Sequence, residues 1–269
     1  KNMRYVLSQA SQIFTLLVCV TVFNCKDKPV FTPSRLVVKY GDPASVICTC
    51  QQECLNEIFN IEHSVGKVTI NRTTISWNID NFTDWTARLQ CYYNKAAENV
   101  SDPDVQCCTV LPLTVYKPPD KVSISFANHT GPLIEAHPYT LQCTVHNVAP
   151  VEKVKAIFYR GHSVVGQVQV NNSYGGKPMT HSYTLDVIPH KGEDGAAYWC
   201  AAELVLGPEG PQPPPVVISQ NMTTTVYSNN IVYIILGILF AVVLLVIIGV
   251  IIWTRDYKNE RTGQYDFAR

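Results

Sequence analysis

The sequence has no excess of charge of either sign: 21 Lys and Arg balance 21 Asp and Glu over 269 residues. A nucleic-acid partner calls for a basic surface, so that class is excluded. The seven histidines stand nowhere at zinc-ligand spacing. No glycine-rich phosphate loop is present. "GHSVVG", residues 161–166, lacks the second glycine of a nucleophile elbow, since Val165 stands there, and no helix pattern follows, so it reads as a turn. Nothing in these patterns supplies an enzyme's machinery, and no cofactor is expected. Charge is also missing from the whole of residues 231–253, "IVYIILGILFAVVLLVIIGVIIW".

That uncharged run is long enough to cross about 30 Å of hydrocarbon. The tail, residues 254–269, carries Arg255, Lys258, Arg261 and Arg269, whereas residues 216–230 have no Lys or Arg. The positive-inside rule then places the N-terminal part outside, with Tyr233 and Trp253 near the two interfaces. At the other end, Arg4 precedes an apolar run, residues 13–23, broken only by Thr15 and Thr21. This pattern predicts a signal peptide over residues 1–24, which is set aside from fold reasoning. The expected product is a single-pass type I protein of the plasma membrane with its N-terminus extracellular. Six Asn-x-Ser/Thr triplets, at Asn71, Asn81, Asn99, Asn128, Asn171 and Asn221, fit a glycosylated secretory product.

The roughly 205 residues between leader and span are about two small domains. In the second, residues 117–228, "YTLQCTV" alternates, with Leu141, Cys143 and Val145 on one face of a half-buried strand. Asp194, Ala196, Tyr198 and Cys200 fit the Asp-x-Gly/Ala-x-Tyr-x-Cys pattern of the immunoglobulin tyrosine corner. Cys143 and Cys200 are therefore expected to bridge facing sheets. "KVKAIFY" has no Trp for that bridge, leaving Phe158 or Ile157 to pack on it. In the first domain, residues 25–116, "ASVICTCQQEC" puts Val46, Cys48 and Cys50 on one strand face, and "ARLQCYY" supplies Cys91. We assign Cys50–Cys91 as the inter-sheet bridge. Cys54 is expected to pair with Cys107 or Cys108, Cys25 to take the other, and Cys48 to remain a buried free thiol. Pro118 and Pro119 make the junction short and stiff. The fold class expected is all-β: two tandem immunoglobulin-like β-sandwiches followed by a single transmembrane helix over residues 229–253.

Several stretches together resemble the intercellular adhesion molecule family, specifically its short two-domain members. They are the Cys50-x-x-x-Cys54 spacing, "LTVYKPPDKV" at residues 113–122, "VKAIFYRG" at 154–161 and "CAAELVLGPEG" at 200–210. The likeness covers roughly residues 28–227, and "RTGQY" in the tail looks related. Two departures stand out. Lys95 occupies the place of the family's second bridging cysteine in this domain, and Ile61-Glu62-His63-Ser64-Val65 replaces its Ile-Glu-Thr-Pro-Leu-like motif. The resemblance implies heterophilic adhesion to a leukocyte-type integrin. In that family a glutamate ending strand C completes the coordination of a divalent cation in the integrin I domain. Carried onto this chain, Glu62 is that ligand, with Ile61 and Val65 as its apolar rim. The Mg²⁺ belongs to the partner, so the chain needs no metal site of its own. Without the resemblance, Glu62 is simply a solvated glutamate on an edge strand. The tail's "RTGQYDF" partly resembles the family's ezrin/radixin/moesin docking motif, with Gln264 replacing Thr and Phe267 replacing Val.

Two other functions remain open. An immune-signalling receptor would share the architecture, but the span has no charged residue to pair with an adaptor. Neither "RDYKNE" nor "GQYDFA" makes an inhibitory tyrosine motif. A homophilic adhesion protein is the second alternative.

Overall fold

The computed structural model describes residues 25–263 apart from 26, 52–53, 55–56, 96–104 and 173–174. The expected signal peptide, the Asn99 sequon and the tail residues Gln264, Phe267 and Arg269 lie outside the described residues. Up to Tyr227 the described residues form strands, with two short 3-10 helices at Val151–Lys153 and Lys191–Glu193, and a long helix follows.

The first sandwich contains β1 (Val30–Thr32), β2 (Leu36–Lys39), β3 (Ala44–Thr49), β4 (Ile58–His63), β5 (Lys67–Ile70), β6 (Thr74–Ile79), β7 (Leu89–Lys95), β8 (Val105–Val110) and β9 (Leu113–Tyr116). One sheet runs β1-β3-β6-β5 and the facing one β4-β7-β8, while β2 and β9 pair in parallel. Period-2 alternation builds the core between them. Val46 and Cys48 of β3, Ile75 and Trp77 of β6, Phe59 and Ile61 of β4, and Leu89, Cys91 and Tyr93 of β7 all point inward and are buried.

The disulfides of this sandwich differ from the expected set. The inter-sheet bridge is Cys48–Cys91, with Cα atoms 6.6 Å apart, and not Cys50–Cys91. Cys48 and Cys50 share a face parity, so alternation alone does not choose between them. The end of the strand does: β3 stops at Thr49, which leaves Cys48 inside the sheet and Cys50 beyond it. Cys48 is therefore not a free thiol. Cys54 does not reach Cys107 or Cys108 but pairs with Cys50. The backbone turns back there, with the Cys54 N–H donating to Gln51 O at 3.3 Å, which brings the two Cα atoms to 6.1 Å. Cys25 pairs with Cys107, tying the first described residue to β8. Cys108 is disulfide-bonded too, and among the described residues no cysteine is free.

The second sandwich follows at once, through a two-way backbone bridge between Lys117 and Ala149. Its strands are β10 (Lys121–Phe126), β11 (Leu133–Ile134), β12 (Tyr139–Val148), β13 (Val154–Arg160), β14 (Ser163–Gln169), β15 (Met179–Val187), β16 (Ala197–Leu204), β17 (Val216–Ile218), β18 (Met222–Thr223) and β19 (Val226–Tyr227). The sheet β10-β12-β15 faces β14-β13-β16-β17, and β18 also pairs with β16. Cys143 and Cys200 bridge the two as expected, Cα atoms 6.2 Å apart. Phe158, directly across from Cys200 on β13, is fully buried and takes the place a Trp would fill. Tyr198 is buried, but its hydroxyl turns to Glu193 Oε2 at 3.4 Å, and Glu193 also pairs with Arg160 at 2.5 Å. The turn expected over residues 161–166 is confined to Gly161 and His162, and β14 starts at Ser163.

Helix α1 (Asn229–Gly263) ends the described chain. Its stretch Tyr233–Lys258 is long and apolar enough to cross a membrane, and none of it is buried against the rest of the protein. At 1.5 Å per residue, its 26 residues give about 39 Å of helix, against about 30 Å of hydrocarbon.

Candidate functional site: the outer face around Glu62

Strand β4 sets the geometry. Phe59 and Ile61 point into the core, with Ile61 only 6% exposed, while Ile58, Asn60 and Glu62 face outward. Because β4 is the last strand of β4-β7-β8, it has, among the described residues, a neighbour on one side only. Asn60 Oδ1 accepts the Ile61 N–H at 2.8 Å, so a local side chain satisfies that backbone donor. Across the ladder, Glu62 faces Gln90, Asn60 faces Tyr92 and Ile58 faces Asn94.

This geometry changes the expected rim. Ile61 cannot share a face with Glu62, because adjacent strand residues point to opposite sides. It anchors the strand from below instead. Val65 is half-buried against the first core, and its carbonyl accepts the Trp77 indole N–H at 2.7 Å. The apolar side chain on the Glu62 face is Ile58, 69% exposed. Sequence reasoning missed Ile58 in this role, and also Asn60, Gln90 and Tyr92. The alternation that buries Cys91 places Gln90 and Tyr92 on the opposite face, and that was the available signal.

Gln90 is almost fully buried, and its amide nitrogen has no hydrogen-bond partner. Gln106 of β8 donates to Asn94 Oδ1 at 3.2 Å, while its own buried carbonyl oxygen is unpaired. An unsatisfied buried amide costs about 1–3 kcal/mol, so polar capacity is held in reserve beside Glu62. Tyr92 is partly buried, and this desolvation raises its phenol above 10.0, with the Glu62 charge adding to the shift.

The turn after β4 is braced from two sides. Ser64 Oγ donates to Asp84 Oδ2 at 3.0 Å, and Asp84 Oδ1 accepts both the backbone N–H and the hydroxyl of Thr86 at 2.8 Å. The Thr86 backbone bond is the largest cause holding the Asp84 carboxyl below its ordinary range. Among the described residues no three His, Cys, Asp or Glu are grouped to hold a metal ion. Of the sequons, Asn71, Asn81, Asn128, Asn171 and Asn221 are all exposed.

No protein-family model matches the chain, and no curated protein sequence matches it. Among solved structures the likeness is one of fold. A crystal structure of an ICAM-5 ectodomain fragment, D1–D4, is similar, with a TM-score of 0.50 at 17% identity. The match covers 75% of this chain and 51% of that one, so the chain spans about half the fragment's length. At that identity the likeness shows an immunoglobulin-like fold and nothing finer.

Proposed function

We propose that the chain is a cell-surface adhesion protein whose first sandwich offers Glu62 to the divalent cation of an integrin I domain of the leukocyte type. In this proposal α1 anchors a type I protein in the plasma membrane, and the first sandwich is the membrane-distal one. The observation that carries it is the placement of Glu62: outward on a terminal strand, beside exposed Ile58, with Phe59 and Ile61 locking the strand from beneath. A hard cation such as Mg²⁺ takes carboxylate oxygen in near-octahedral geometry, and it favours a carboxylate held still on a strand. Apolar side chains around the contact exclude water and strengthen the charge interaction. The rim is Ile58, with Val65 at the edge. The cation comes with the partner. The tail's basic residues and its partial ezrin/radixin/moesin motif give a second, cytoplasmic contact in the same proposal.

The test is static adhesion of cells matched for surface level to immobilised integrin. Glu62→Ala and Glu62→Gln are expected to lose adhesion, and Glu62→Asp to keep part of it at most, since a shorter stem displaces the oxygens. Wild-type adhesion should vanish in EDTA and return with Mg²⁺ or Mn²⁺. Full adhesion by Glu62→Ala returns this residue to an ordinary solvated glutamate.

A further inference from the structure

The second sandwich carries a feature that adhesion through Glu62 leaves unused. Strands β17 and β18 both pair with β16, but in different registers: Ala201 faces Ile218, whereas Tyr198 faces Met222. One extra residue therefore lies on their side, a β-bulge opposite Trp199, and bulges re-aim side chains. Ser219 turns inward, its Oγ accepting the Cys200 N–H at 3.0 Å and its own N–H donating to Cys200 O at 2.9 Å. Asn221 turns outward, and it lines a groove of about 330 Å³ together with His162, Trp199 and Ile218.

The groove has an aromatic wall held in place. The Trp199 indole N–H donates to Gly161 O at 2.9 Å. Tyr159 stacks on the ring with centroids 3.9 Å apart and planes within 3°. One ring face is thus covered, and the other is left to offer the groove. Ile218, 63% exposed, adds an apolar flank. Asn221 also opens an Asn-Met-Thr sequon whose threonine, Thr223, is fixed in β18.

We propose that the N-glycan carried by Asn221 folds back into this groove, with its first N-acetylglucosamine stacked on Trp199. The linkage forms when Asn221 Nδ2 displaces the diphosphate of a lipid-linked oligosaccharide from C1 of that sugar and releases a proton. A pyranose ring presents a face of C–H groups with small positive charges, which suits the negative face of an indole. The sugar is tethered at the groove it fills, so its local concentration is high and little freedom is lost on contact. The bulge is what places the attachment point across from the ring. This inference needs the second sandwich to be glycosylated, and it is independent of the role given to Glu62.

Full-length protein from mammalian cells, in detergent, tests it by hydroxyl-radical footprinting read residue by residue by mass spectrometry. Asn221→Gln and Thr223→Ala, which remove the same glycan by different residues, should both raise Trp199 oxidation by about twofold or more, because a second ring face is uncovered. Ile218 should follow, and Trp85 in the first sandwich should not change. Trimming wild type to a single N-acetylglucosamine should keep Trp199 protected, and complete removal should expose it. Equal oxidation with and without the glycan overturns the proposal. So does protection that is lost on dilution, which points to a second copy of the chain. An unoccupied Asn221, seen directly in its glycopeptide, also overturns it and leaves the Glu62 proposal untouched.

Discussion

Gly66, in the turn that follows β4, gives the sharpest test of how this site is held. Its φ is +97°, and a Cβ there would lie 2.5 Å from Trp77 Nε1, 2.7 Å from Trp77 Cε2 and 2.9 Å from Asn78 O. Trp77 is fully buried, packs edge-on against Phe82 and donates its indole N–H to Val65 O, so it cannot give way cheaply. Gly41 is a matched control in the same sandwich. Its φ is +91°, but its Cβ would meet only Asn81 Oδ1 at 3.8 Å, an ordinary contact. For Gly41→Ala the backbone conformation alone should cost about 1–2 kcal/mol. Gly66→Ala adds overpacking of about 1–3 kcal/mol, for about 2–5 kcal/mol in all. In a domain of this size each kcal/mol moves Tm by about 4–8 °C. Calorimetry of the ectodomain should therefore show the first sandwich's transition falling at least about 4 °C further in Gly66→Ala than in Gly41→Ala. The second sandwich's transition should stay in place as an internal reference. Equal falls for the two variants would refute the close contact between this turn and Trp77.

Other consequences are as direct. Cys48→Ala opens a bridge whose partners are 43 residues apart, worth about 4 kcal/mol by chain entropy, and should abolish surface expression; Cys50→Ala opens a separation of 4, worth about 2 kcal/mol, and should only lower thermal stability, as flow cytometry and melting curves would show. Glu62→Gln should lower the Tyr92 pKa while leaving it above 10.0, because burial is the larger cause; carbon NMR of the tyrosine ring, assigned with Tyr92→Phe, reads this directly. An unmoved Tyr92 would mean that the two side chains, diagonal neighbours across the ladder, do not lie close together. Asp84 has a folded pKa depressed below its ordinary value near 3.8, so its contribution is present above that value and is lost as pH falls through the folded one. Asp84→Asn should accordingly flatten the acid limb of the stability curve below about pH 4, measured by urea unfolding.

Much of the fold was legible because strand alternation and burial agree. "YTLQCTV" buries Leu141, Cys143 and Val145, and Cys143 meets Cys200 as the spacing implied. Where the sequence misled, parity was the reason. Cys48 and Cys50 lie two apart, and two residues of equal parity are told apart only by where the strand ends. The same alternation, applied strictly to Ile61 and Glu62, would have removed Ile61 from the rim at once. The bulge opposite Trp199 was not legible, because it is a difference between two registers, each set by pairing across the sheet.

What surrounds Glu62 bears on the proposal that it is more than a solvated glutamate. A carboxylate that only keeps a strand end soluble needs no restraint, and side-chain freedom favours leaving it loose. Here the restraints converge. Ile61, the residue before it, lies in the core directly across from Cys91, and Cys91 is bridged to Cys48 of the facing sheet. Ser64, two residues on, is tied to Asp84, and Val65 to Trp77. Glu62 therefore sits between two fixed points, one a disulfide across the core and the other a buried indole. Beside it lies Gln90, whose unpaired buried amide is a standing cost to folding. A buried polar group without a partner calls for an explanation, and Gln90 lies on the same strand pair as Glu62, directly across from it.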